Sequence, residues 1–439
     1  MSDVDHDVEM NAEECEVDSE EEVEIPEDQK KVYLPGISRP LKEGEVLEYD
    51  PSAYKVYHTF TTNWPCLSFD VVRDGLGDNR TNFPVECYLV SGTCADKPKD
   101  NEINVIALKN LGKMEEEKEK DSEDDDSSDE EDEEEAKKKE PVMHSVSISH
   151  YGDVNRIRAA RLGDSTVSAV WNDNGRVQIW NLTSALNIAN ELTGESQHKE
   201  MKNEKPLYSE NGFNKPGFAL AWNPLKVGDL ATGDVAKNIF LWQMQEGGKW
   251  AVSGKSLVGH KKSVEDVAWS PTEENLLCSC SVDGTIKLWD ARASPKSACV
   301  VSVENAHASD VNVISWNAFD SLIVSGGDDS ELKVWSLKTI QHGQPVARFK
   351  YHSKPITSVE WHPQETTTFI ATSEDDQTTI WDIATETDEG QDIEGVPPQL
   401  MFVHMGQKEL KEVHWHPQIP GLALTTAVDG FNAFKSINY

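Results

Sequence analysis

Pairs of tryptophans recur along the chain at nearly fixed spacing. Trp222 and Trp242, Trp269 and Trp289, and Trp361 and Trp381 lie 20 residues apart, and Trp316 and Trp335 lie 19 apart. Their closing members follow one another at intervals of 47, 46 and 46 residues. A period in the range of roughly 20–50 residues means one supersecondary unit per repeat, too small to bury its own faces. In the unit Gly259–Asp290, three short runs are strand-like: Val264–Trp269, Leu276–Ser281 and Thr285–Trp289. The last alternates polar and apolar residues, as a half-buried strand does. Asp283-Gly284 between the second and third is a hairpin signal. Short antiparallel sheets stacked around an axis cover one another and leave only short edges.

The Gly259-His260 opening, the Trp-Asp close at Trp289-Asp290 and the period together resemble the WD-repeat family, over most of residues 150–439. The resemblance implies an all-β fold, a seven-bladed propeller, here expected over 64–439. Blades two to six are read at 153–182, 217–244, 259–292, 306–337 and 351–384. Leu410–Tyr439 forms the last. Leu67–Val72, Glu86–Gly92 and Glu102–Lys109 read as strands of a first blade, with Pro141–His150 supplying its remaining strand. Ser184–Phe213 is a long connector that opens on a short helix pattern.

His260, Ser279 and Asp283 are the residue types of a hydrolytic triad, and His307, Ser325 and Asp329 repeat them one unit later. A catalytic set is not stamped out per repeat. The WD resemblance implies instead a buried His–Ser–Asp–Trp hydrogen-bond network that ties each blade, since buried polar groups need partners. Asn174 stands where Asp283 does, Ala371 where Ser279 does and Lys435 where Trp289 does, so the network is expected to be incomplete in those blades. No nucleotide loop, metal cluster or unrepeated nucleophile–base pair stands out; neither an enzyme nor a cofactor is expected.

The formal net charge is −38. Residues 1–30 carry 14 acids against one lysine and residues 113–140 carry 17 against six, which leaves −14 on the remainder. Such a surface repels nucleic-acid phosphates and attracts basic proteins in a salt-dependent way. Either acidic run could also be a solvating segment with no specific role. Both are expected to be disordered, the first as a tail and the second as a surface loop inside blade one. Ser19, Ser122, Ser127 and Ser128 sit in acidic contexts suited to phosphorylation, which adds about −1.5 to −2 charge each. No apolar run is long enough to cross a membrane as a helix, and the acidic N-terminus is unlike a signal peptide. Seven cysteines, an odd number without a CxxC pair, point to a reducing compartment.

Asp50-Pro51 is a helix-start signal, and Ala53, Tyr57 and Phe60 share a helical face, so a short helix of about three turns is expected over Asp50–Phe60 within an N-terminal segment 31–63. A helix leading into Trp64-Pro65-Cys66-Leu67 resembles the N-terminal segment of histone-binding, chromatin-assembly WD-repeat proteins. Tyr57-His58, Pro65–Asp70 and Gly77–Thr81 are closest to the glutamate-rich WD-repeat proteins. After blade six comes Glu386–Gln399, acidic and then Pro397-Pro398, similar to the loop that faces the N-terminal helix in histone-binding relatives. There the two clamp a basic helix, which implies Tyr54, Tyr57 and Phe60 on one side and Asp388, Glu389, Asp392, Glu394, Pro397 and Pro398 on the other. A flexible loop between blades is the plainer alternative.

The resemblance implies a nuclear and nucleolar protein acting in ribosome biogenesis and histone binding. Its partners would be core histones, pre-ribosomal complexes and a large-subunit ribosomal protein, L-three. No direct nucleic-acid or membrane binding is expected. Trp289, Asp290 and Arg292 also fit the Trp-Asp-x-Arg pattern of propellers that dock on cullin-type ubiquitin ligases. The alternative function is therefore a ubiquitin-ligase substrate receptor, with the ligase adaptor as partner.

Overall fold

A computed structural model describes residues 33–34, 38–39, 41–42, 44–45, 47–114, 140–210, 212–213, 215–386 and 395–438. The chain divides into two units, Met1–Leu47 and Glu48–Tyr439. Of the first, the described part contains a bidentate pair between Arg39 and Glu45, at 2.7 and 2.6 Å.

The second unit holds seven antiparallel sheets, the blades of a propeller. Blades three to six are four-stranded meanders, each beginning on an inner strand: Gly217–Trp222, Val264–Trp269, Val311–Trp316 and Ile356–Trp361. Each of these strands carries a register shift after its first residue, and so do the inner strands Cys66–Val72 of blade one and Val154–Leu162 of blade two. Bulges of this kind add the local twist a radial stack needs. The Asp283-Gly284 hairpin is present, with Gly284 at φ +74°.

Blade seven is closed by the N-terminal part of the unit. Tyr54–Phe60 is its outermost strand, paired antiparallel with Gly430–Ser436 in a register that sets Tyr57 opposite Phe434. The expected helix is therefore a strand. The start signal is real, since the Ser52 N–H donates to Asp50 Oδ1 at 2.9 Å, but the turn it opens stops at Ala53. Tyr, Val, Thr and Phe dominate the next seven residues and favour a pleated, half-buried edge over a helix. The unpaired edge of Gly430–Ser436 supplies the ladder that decides it.

Blade one has Cys66–Val72, Val85–Thr93, Asn101–Leu111 and Val142–His150, and a fifth strand that the sequence did not announce. His198–Met201 returns from blade two and pairs parallel with Val142–His150. It follows α1 (Thr183–Glu191), the helix foreseen in the connector, whose Ala185 and Ala189 pack into the core between blades one and two.

Three blades carry the full polar tie. Ser279 Oγ lies 2.7 Å from His260 Nε2 and accepts from Trp289 Nε1 at 2.8 Å, while His260 Nδ1 is 3.1 Å from Asp283. His307, Ser325, Asp329 and Trp335 repeat this in blade five. Blade six corrects the expectation drawn from Ala371. Thr379, one strand over, places its hydroxyl 2.9 Å from His352 Nε2 and accepts from Trp381 Nε1 at 2.8 Å. Blade two is incomplete as expected: Trp180 Nε1 and Ser168 Oγ are buried without a hydrogen-bond partner among the described residues. In blade seven Lys435 donates to the Pro420 carbonyl, and His404 lies between Tyr54 Oη at 2.9 Å and Asn432 Nδ2 at 3.1 Å.

Each blade is also tied to the next along the inner strands. Backbone N–H groups of Ala159, Ile314, Trp361, Trp415 and Phe69 donate to Asp70, Asp266, Ser315, Glu360 and Glu412 of the preceding blade. The two remaining junctions are made by Trp222 Nε1 to the Arg158 carbonyl and Trp269 Nε1 to the Ala221 carbonyl.

Candidate interaction surface

The sequence-predicted partner residues fall on the outer side of blade seven, and the closing strand sorts them. Tyr54 is buried and stacks on Tyr57, with ring centroids 5.0 Å apart. It also meets Phe402 edge-on at 5.2 Å. Tyr57 is half-buried, and Tyr49 packs edge-on against it at 5.0 Å while remaining 51 % exposed. Offset and edge-to-face pairs of this kind hold rings in place beyond their burial. Phe60 points the other way. It is 8 % exposed and belongs to the core shared with Phe69, Leu424 and Phe431, so it leaves the partner-binding set.

His404 forms the floor of this cluster, stacked on Phe434 at 4.1 Å. Burial pulls its pKa down to about 3, so the imidazole is neutral and supplies one donor and one acceptor. Burial likewise pushes the Tyr54 hydroxyl above its ordinary range.

Two further segments are rooted beside the same strand. The Met114 N–H donates to the Lys55 carbonyl at 3.0 Å, and His58 Nε2 lies 3.0 Å from the Gly112 carbonyl. The acidic insertion therefore leaves blade one along the outer edge of blade seven. The Pro397-Pro398 loop returns next to Phe402, its stem closed by Asp382 N–H to the Gln399 carbonyl at 2.9 Å and Leu400 N–H to the Pro397 carbonyl at 3.0 Å. Pro397 is half-buried and Pro398 exposed. Asp388, Glu389, Asp392 and Glu394 lie outside the described residues, as do Ser19, Ser122, Ser127 and Ser128.

Trp289 is fully buried, Asp290 is partly covered, and Arg292 is an exposed side chain clasped by Asp290 through two bonds of 2.9 and 2.8 Å. Ser279 has no exposed surface, and its hydroxyl is saturated by His260 and Trp289. No substrate carbonyl can reach it.

The sequence reading missed the polar core of the channel. Glu412 of blade seven, 1 % exposed, accepts from Arg156 and Arg158 of blade two at 2.6 Å each, and from Ser68 Oγ and the Phe69 N–H of blade one at 2.8 Å each. Burial works against its ionisation, but Arg158 and Arg156 outweigh that and hold its pKa well below the usual carboxylate range. Beside it, His414 Nδ1 lies 2.9 Å from Glu360. Burial opposes its charge, yet Glu360 and Glu412 raise its pKa to about 10. The signal available was charge at inner-strand positions that are Ala or Val in other repeats: Asp70, Arg156, Arg158, Glu360 and Glu412.

Ring closure by an N-terminal strand, blades tied by His–Ser–Trp sets and a buried central ion cluster define a WD-repeat propeller scaffold. The profile described as WD domain, G-beta repeat matches residues 251–290, 298–336 and 343–382. A second, described as that of histone-binding protein RBBP4 of the CAF1 complex, matches residues 44–112. The chain is 42 % identical over 440 residues to Glutamate-rich WD repeat-containing protein 1 of Dictyostelium discoideum, covering 93 % of this chain and 85 % of that protein. It is 41 % identical to Protein HEAT STRESS TOLERANT DWD 1 of Arabidopsis thaliana, covering 94 % and 93 %. It is 37 % identical to Ribosome assembly protein rrb1 of Schizosaccharomyces pombe, covering 96 % and 87 %. The chain belongs to this glutamate-rich WD-repeat, rrb1 family, whose members are non-enzymatic scaffolds.

Proposed function

We propose that the protein is an acidic escort that holds strongly basic proteins during ribosome assembly and histone handling, in the nucleus and nucleolus. The observation that carries this reading is convergence. The stem of the acidic insertion at Met114, the stem of the Pro397-Pro398 loop at Leu400 and the aromatic cluster of Tyr49, Tyr54 and Tyr57 all gather on the outer strand of blade seven. Clients of this chemistry carry amphipathic basic helices. Aromatic rings grip the apolar face of such a helix, and carboxylates pair its Lys and Arg. The rrb1 relative's name supports a ribosomal client, for which L-three is the candidate. The match to the histone-binding profile supports core histones. Masking the client's charge keeps it off nucleic acid until assembly. Salt-dependent capture of L-three and of histone H3–H4 by the full-length chain tests this. Capture should fall on deletion of residues 115–139 and in Tyr57→Ala; equal capture by all three proteins would end the proposal.

A second reading, a ubiquitin-ligase substrate receptor, is favoured by the exposure of Arg292, 72 % of whose side chain meets solvent. It requires adaptor binding that is lost in Arg292→Ala while basic-protein capture persists.

A further inference from the structure

The end of the channel where the inner strands finish holds a cavity of about 340 Å³. That volume lies in the range of small-ligand sites, roughly 300–1,000 Å³. Its two walls differ. Blades three to five present Trp222, Trp269 and Trp316, with Ala221 and Ala268 between them, so nothing long fills the space on that side. Blades six, seven, one and two present charge.

The charges are not evenly matched. Arg156 and Arg158 both bind Glu412, and His414 binds Glu360. Asp70 and Asp266, which also line the cavity, are left over. Asp70 accepts only from the N–H groups of Val71 and Ala159, and Asp266 only from those of Val267 and Ile314. Neither has an ion-pair partner within 4.0 Å among the described residues. Burial pushes the pKa of both above the ordinary carboxylate range, with the nearby arginines pulling the other way. Each would be relieved by a cation placed in the cavity. The two come from blades one and four, on opposite sides of a seven-membered ring.

We propose that this cavity binds a small linear organic polycation, a diamine or triamine of the spermidine class. One ammonium head pairs with Asp70 and another with Asp266, and the methylene stem lies along the tryptophan wall. Ammonium groups near indole faces gain further from the ring quadrupole. The site is separate from the blade-seven surface and does not depend on the escort function.

Calorimetric titration of the full-length chain with spermidine at about 0.15 M salt tests the proposal, because that ionic strength screens the exposed acidic runs. One saturable site per chain is expected. Asp266→Asn removes a charged partner and weakens the site by about tenfold or more. Ala221→Leu keeps every carboxylate, fills the cavity and abolishes the site. Butylamine, with one head, binds the unmodified protein at least about tenfold more weakly than spermidine does. Deletion of residues 115–139 leaves the site unchanged. Equal binding of butylamine and spermidine, an unaltered curve in folded Asp266→Asn or Ala221→Leu, or loss of all binding with residues 115–139 would overturn it.

Discussion

Arg158 of blade two and Glu412 of blade seven meet at 2.6 Å across the inner strand of blade one, 254 positions apart in the chain. Glu412 is the acceptor for two guanidiniums, a hydroxyl and a backbone N–H, all screened from water. Glu412→Gln keeps the shape and removes the charge, leaving two poorly solvated arginines unmatched. Breaking a buried pair from one side costs about 3–5 kcal/mol. A urea unfolding midpoint lowered by that amount is expected, with Glu360→Gln milder because Glu360 is more exposed. An unchanged midpoint in Glu412→Gln would mean that the cluster does not join the blades.

The tie in blade six is carried by Thr379, which serves His352 and Trp381 at once. Thr379→Val strands both nitrogens and is expected to cost about 1–3 kcal/mol. Ser279→Ala should cost a similar amount in blade four. Ala371→Ser, which restores the residue type expected from the repeat, should gain nothing, since the hydroxyl position is already taken. Thermal unfolding of the three variants distinguishes these outcomes.

This pair of blades shows what was legible in the sequence. The repeat period and the tryptophan spacing located blades two to six, because the spacing is forced by strand and turn lengths. The equivalence of Ser279 and Thr379 was not legible, because a hydroxyl can reach the same point from either of two neighbouring strands. Tyr54–Phe60 was misread for a related reason. Asp50-Pro51 starts a turn locally, but the choice between helix and strand is made by a distant edge, where Phe60 pairs with Phe431, 371 positions further along the chain. His198–Met201 was missed because only the open edge of Val142–His150 makes it a strand. The channel charges were in view, yet a charge on a strand reads as a solvated residue until the ring turns it inward.

His404 gives a pH test. Its folded pKa is about 3 against an ordinary value of 6.5, because burial disfavours the charged ring. The unfolded chain takes a proton below pH 6.5 that the folded one refuses. The contribution is therefore whole above pH 6.5 and is lost as pH falls toward 3, at about 1.4 kcal/mol per pH unit for one group. His416 has the same depressed value and adds to the slope. Lower pH also relieves repulsion among the surface acids, so the comparison must be internal. Between pH 6 and 4.5, His404→Gln should lose stability less steeply than the unmodified chain. Parallel slopes would show that His404 is protonated in the fold.

The blade-seven aromatics separate binding from folding. Tyr57 is half-buried and Tyr49 exposed, whereas Phe60 is enclosed by Phe69 and Phe431. Tyr57→Ala and Tyr49→Ala should weaken client capture while leaving unfolding within about 1–2 kcal/mol of the parent. Phe60→Ala should destabilise by about 3–5 kcal/mol through the cavity it leaves. Its effect on capture, measured well below its unfolding midpoint, should be small. Raising salt should lower capture by the parent and by Tyr57→Ala in parallel, because rings and carboxylates contribute separately. If Phe60→Ala abolished capture in a folded protein while Tyr57→Ala did not, the client would be reading the inner face of the closing strand, and the outer side of blade seven would not be the docking surface.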